Sequence, residues 1–144
     1  MATYNLIISF SSISLNAAFA RNVIASFIIP LNPTVAEMNE VKTAVSEAVT
    51  NAIVHGYPNE SGEIVIEAEI IENSLHILIK DYGVGIDNIS LALEPFYSSK
   101  PDEERSGMGF TVMKTFMDDV EVNSVSNIGT TVKMCKKFKK REIA

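Results

Sequence analysis

Apolar positions along the chain follow two different periods. Asn5 to Phe10 is a short apolar run that reads as a strand. Ser14 has the chemistry of a helix N-cap, and Leu15, Phe19, Val23 and Phe27 then recur at helical spacing until Pro30. Asn32-Pro33 repeats the start signal, and Val35, Met38, Val41, Val45, Ala48, Val49 and Ala52 form a second helical stripe running to Gly56. Residues 57–62 have turn chemistry. Ile64, Ile66, Ala68 and Ile70 alternate with polar residues, as do Leu75, Ile77 and Ile79, which predicts two strands paired through a turn at Asn73-Ser74. Residues 82–106 carry no sustained period, and a loop of that length is usually functional. Gly107 opens a predicted helix to about Met117. Val120, Val122 and Val125 predict a strand, Asn127 to Gly129 a turn, and Thr131 to Met134 the start of the last strand.

The resulting order, β-α-α-β-β-loop-α-β-β, keeps the helices apart from a mainly antiparallel sheet. It predicts an α+β two-layer sandwich rather than a doubly wound fold. The 144 residues suit one domain with its own core, so neither disulfides nor a metal is required for folding. One cysteine, Cys135, excludes an intramolecular disulfide framework. Phe10, Phe19, Phe27 and Phe110 are read as core.

Charge is unevenly placed. Residues 1–132 carry a net −11 and residues 133–144 a net +5, so the body should repel nucleic acid while a basic tail from about 136 to 144 is read as a solvated end. An acidic partner for that tail is the alternative. No run approaches the roughly 18 apolar residues of a membrane span. The start, MATYNLIISF, lacks a basic segment and a long apolar stretch. A cytoplasmic protein without membrane attachment is therefore expected.

Four short patterns could carry chemistry. Glu47 and Asn51 lie one turn apart on the second helix, beside its apolar stripe. A carboxylate there can act as a general base, and an amide oxygen suits a hard cation such as Mg²⁺. Two polar residues on a solvated helix face are the alternative. Asp81-Tyr82-Gly83-Val84-Gly85 follows a strand. Its carboxylate can accept from an exocyclic amine such as that of adenine, and its glycines allow close backbone approach. An ordinary turn is equally compatible. Ser106-Gly107-Met108-Gly109-Phe110 precedes a helix, where exposed N–H groups favour an anion, with Lys100 and Arg105 just upstream as phosphate contacts. Gly129-Thr130-Thr131 places hydroxyls between two strands. No P-loop and no protein-kinase H-R-D motif is present. His55 and His76 lack neighbours at metal-ligand spacing.

Taken in order, these patterns resemble the successive nucleotide-binding boxes of the GHKL superfamily, which includes gyrase, Hsp90, sensor histidine kinases and mismatch-repair ATPases. Ser46 to Gly56, and Ser99-Lys100-Pro101 followed by Glu104 to Phe110, are similar within it to the anti-sigma F family of spore-forming bacteria. The resemblance spans roughly residues 4–138. It implies a Bergerat-type ATP-binding sandwich on a mixed sheet. Asp81 would recognise adenine with Thr130 nearby, and Gly83 and Gly85 would line the base. Asn51 would hold Mg²⁺. Lys100, Ser106, Gly107, Met108 and Gly109 would surround the phosphates of ATP or ADP, and Arg105 would reach the terminal one. Glu47 would be the base of a serine kinase acting on an anti-anti-sigma factor. A homodimer of the chain would hold a sporulation sigma factor, with Arg21 at a partner-contact position. A detached sensor-kinase ATPase domain and a nucleotide-binding module without transfer are the other readings. The first lacks a preceding phospho-acceptor helix, and the second has no use for Glu47.

Overall fold

The computed structural model describes residues 4–86 and 109–139. Strand β1 spans Tyr4–Ser11, helix α1 Leu15–Phe27, and helix α2 Val35–Asn51. A turn of π helix, Ala52–Gly56, prolongs α2. Strands β2 (Glu63–Ile71) and β3 (Ser74–Asp81) form a hairpin, and helix α3 covers Gly109–Phe116. Strands β4 (Asp119–Val125) and β5 (Gly129–Lys137) complete the sheet.

The five strands lie in the order β1-β2-β3-β5-β4. A mixed sheet was the expectation; among the described strands every pairing is antiparallel. One face is apolar because the strands alternate. Ile64, Ile66 and Ala68 of β2, Leu75, Ile77 and Ile79 of β3, and Val132 and Met134 of β5 point the same way and are buried. Ala20 and Ile24 of α1, Val41, Val45, Ala48 and Val49 of α2, and Met113 of α3 close that layer. Burying one such Val, Ile or Met contributes roughly 1.5–3 kcal/mol. Helix α2 packs against both α1 and α3, so it is the middle helix of the layer.

Local signals were displaced at three points. Ser14 occupies the N-cap of α1 but makes no side-chain cap bond. Asn16 Nδ2 instead donates to Ser11 O at 2.8 Å, tying the helix entry to β1. Asn32 is not the cap of α2; it takes a left-handed conformation (φ 51°) after a 3₁₀ turn, Ile29–Leu31. Thr34 is the cap, in a reciprocal box with Glu37: Glu37 N donates to Thr34 Oγ1 and Thr34 N to Glu37 Oε1. A side chain two residues after Asn32 with glutamate three further on outcompeted the Asn-Pro signal. The basic end also starts later than expected. Strand β5 continues through Lys137, and its inward alternation of Thr130, Val132, Met134 and Lys136 reaches Phe138, which is 2% exposed. Residues 140–144 lie outside the described residues. Phe19, expected in the core, is 47% exposed and meets Phe10 edge-on at 6.0 Å. Phe27 is buried, and Phe10 and Phe110 are partly buried against the core.

Candidate nucleotide site

Strand β3 carries Leu75, Ile77 and Ile79 inward, and the next residue in that alternation is Asp81. The carboxylate is therefore placed under the helix layer, and the residue is 7% exposed. Burial pushes its pKa up, against the backbone N–H groups of Gly83 and Thr130, which hold it down. Gly83 N donates to Asp81 Oδ1 at 3.0 Å. Thr130 is the register partner of Asp81 on β5, is buried, and lies 2.8 Å (Oγ1) from Ser124 Oγ. An ordinary turn aspartate would sit in solvent. One buried with a raised pKa and neighbouring polar groups is the pattern of a binding site.

The glycines beyond Asp81 are close-packed against backbone. A Cβ on Gly83 would fall 1.8 Å from Gly56 O, and Val84 N donates to that same oxygen at 2.9 Å. Gly85 needs its positive φ of 78°, and a Cβ there would meet Val125 O at 2.4 Å. Asn127 N donates to Val84 O, and Ile86 N to Ser124 Oγ. The segment 81–86 is thus clasped between the π turn after α2 and the β4–β5 turn. Gly56 itself lies on Asp81: a Cβ there would come 2.9 Å from the carboxyl carbon.

A second cluster sits farther back on α2. A Cβ on Gly109, the first residue of α3, would fall 2.9 Å from Asn51 Nδ2, 3.2 Å from Asn51 Oδ1 and 3.4 Å from Glu47 Oε2. Glu47, Asn51 and Gly109 are therefore brought together, with Gly109 directly beside both polar side chains. At 1.5 Å per residue, Glu47 and Gly56 stand about 13 Å apart along the helix axis. Asp81 marks one end of that stretch and the Glu47–Asn51 pair the other. The Asn51 amide oxygen is a hard donor that suits Mg²⁺ when substrate phosphates supply further oxygens, with the Glu47 carboxylate one turn away.

Lys100, Arg105, Ser106, Gly107 and Met108 lie outside the described residues. Arg21 lies on α1, half-buried, and its Nε is buried without a hydrogen-bond partner among the described residues. Sequence reasoning passed over Gly56, Tyr57, Ser124 and Lys136. Tyr57 was legible only as an aromatic in a polar turn, and Lys136 only as one more charge in a basic run.

Residues 14–136 match the family described as the histidine kinase-like ATPase domain. The chain is 58% identical over 139 residues to the anti-sigma F factor of Clostridium beijerinckii, covering 96% of this chain and 97% of that one. The chain belongs to the anti-sigma F factor family. Two further relatives of that name are those of Clostridium kluyveri (53% identical, 91% and 92% covered) and Anoxybacillus flavithermus (48%, 92% of each). Among solved structures, the RsbU and RsbW domains of Rv1364c from Mycobacterium tuberculosis match with a TM-score of 0.69 and 17% identity. That match covers 95% of this chain and 33% of the other, and it establishes the shared fold. No helix among the described residues is long and apolar enough to cross a membrane.

Proposed function

We propose that the chain is an ATP-dependent serine kinase that phosphorylates an anti-anti-sigma factor and, as a homodimer, binds and inhibits a sporulation sigma factor. The observation that carries the kinase reading is the pairing of two clusters along α2. A buried carboxylate meets Gly56 at one end, and Glu47 and Asn51 converge on Gly109 at the other.

Asp81 accepts a hydrogen bond from the adenine amine, while Gly83 and Gly85, packed closely on Gly56 and Val125, hold the segment that lines the base. Asn51 is the protein ligand of Mg²⁺, which neutralises phosphate charge when bound. Gly109 presents its N–H to the phosphates at the start of α3, and Lys100, Ser106, Gly107 and Met108 are further phosphate contacts on the family resemblance. Arg105 meets the terminal phosphate, bidentately where geometry permits. Glu47 takes the proton from the attacking serine hydroxyl. A serine Oγ–P bond forms as the terminal P–O bond breaks, and ADP carries away the electron pair. Transfer of this kind depends on positioning and charge stabilisation more than on covalent help from the protein. Arg21 serves partner contact from its half-buried place on α1, as the family resemblance implies. A cytoplasmic location goes with a sigma factor as target.

The deciding experiment is incubation with labelled ATP, Mg²⁺ and a candidate anti-anti-sigma factor, followed by mapping of the label. Label on serine of the partner is the expected result. Nucleotide binding and sigma retention without label would leave only a sequestering module.

A further inference from the structure

Tyr57 stands at the point where strands β2 and β3 separate. Their ladder ends at the pair Ile64–Asp81, and the next register pair would be Glu63 with Tyr82. The Tyr57 hydroxyl bridges the backbone of that pair. It accepts from Tyr82 N at 2.7 Å and donates to Glu63 O at 2.6 Å. One side-chain oxygen thus satisfies a backbone donor and a backbone acceptor from both strands.

The residue is held firmly for this task. It is 7% exposed although it lies in a loop. Its own N–H closes the π turn onto Ala52 O at 3.2 Å. Gly62 lies against the ring, since a Cβ there would come 2.2 Å from Cε1, and Gly62 is fixed in turn by reciprocal bonds with buried Ser12. Burial pushes the phenol pKa up, the Tyr82 N–H it accepts pulls it partly back, and nearby Asp81 and Glu63 push it up further, so the hydroxyl keeps the proton it donates. The preceding residue grips the same segment, with Gly56 O accepting from Val84 N at 2.9 Å. Gly56 and Tyr57 therefore hold Val84 and Tyr82, on either side of Gly83.

We infer that Tyr57 is a positioning residue for base recognition: its hydroxyl wedges β2 from β3 and turns the Asp81–Gly85 backbone out of the sheet into its ligand-binding path. This inference rests on the nucleotide reading of the site. Without the hydroxyl, Tyr82 and Glu63 either lose their partners or close directly on each other. In both cases Gly83 shifts relative to Gly56 and the carboxylate of Asp81.

The test is Tyr57→Phe, which keeps the ring and its packing. Equilibrium titrations with ATP, ADP and adenosine are run well below the melting temperature, alongside amide hydrogen exchange at Val84. The expected result is an affinity loss of about three- to tenfold, the equivalent of one hydrogen bond, equal for all three ligands because all share the base. Val84 N–H should exchange faster in the variant. A merely structural role would lower the melting temperature and leave all three affinities unchanged, and that outcome overturns the proposal. A loss confined to ATP overturns it too, since it would place the effect at the terminal phosphate. A wild-type chain that binds none of the three overturns the nucleotide reading itself.

Discussion

Replacing Asp81 by asparagine should move ligand affinity and unliganded stability in opposite directions. The carboxylate is buried and its pKa is raised by that burial, so its ionised form is a net cost to the fold. For a group protonated more readily in the folded chain, the native state binds more protons between the ordinary value of 3.8 and the raised one. Stability therefore falls as pH rises through that window, and the full cost persists above it. Asparagine has a similar shape, and its Oδ1 can still accept from Gly83 N, so the variant should melt higher at neutral pH and lose this part of the pH slope. Binding responds the other way. The second carboxylate oxygen becomes an amide donor facing the donor amine of the base. Loss of a hydrogen bond to a charged group costs roughly 1.5–3 kcal/mol. That is about a 10- to 150-fold weakening, the same for ATP and ADP. Calorimetric titration and thermal melts from pH 4 to 8 measure both arms. Unchanged affinity for both nucleotides would remove Asp81 from the base pocket. A lower melting temperature at neutral pH would refute the claim that its charge is costly in the fold.

Four further outcomes are expected. Glu47→Ala should slow serine phosphorylation by about 10²–10⁴-fold, with ATP affinity and sigma co-purification retained; transfer at the wild-type rate would defeat the base assignment. Arg105→Ala should weaken ATP binding and leave ADP binding nearly unchanged, and equal losses in titration would place the guanidinium elsewhere. Gly83→Ala puts a methyl 1.8 Å from Gly56 O, backbone that cannot swing aside. It should cost roughly 1–3 kcal/mol in urea unfolding along with nucleotide affinity, and a fully stable variant would contradict that close approach. Lys136, 8% exposed, donates to Phe116 O at 2.6 Å at the end of α3 and lies 3.6 Å from Glu40 of α2. Lys136→Met should therefore destabilise by roughly 1–2 kcal/mol in urea, and a neutral result would show that the cation holds no helix in place.

Element type and order were legible in the residue pattern because helical and strand periods are local properties. The chain reads as a strand, two helices, a hairpin, a helix and two strands, and the structure has that order. The displaced details have local causes as well: Thr34 with Glu37 formed a stronger cap than Asn32-Pro33. Even the inward direction of Asp81 was implicit, as the next odd position after Leu75, Ile77 and Ile79. Packing decided the rest. Glu47 and Asn51 read equally well as a solvated helix face, and only the tertiary structure brings Gly109 beside them from about sixty residues away. Lys136 and Phe138 read as the start of a charged tail, yet strand alternation carries them inward, where a helix-end carbonyl and Glu40 meet the ammonium. Tyr57 read only as an aromatic at the start of a polar turn. Its hydroxyl matters because two strands part beside it and leave a donor and an acceptor open. Long-range pairing creates such unmet backbone groups, and no local period records where they will fall.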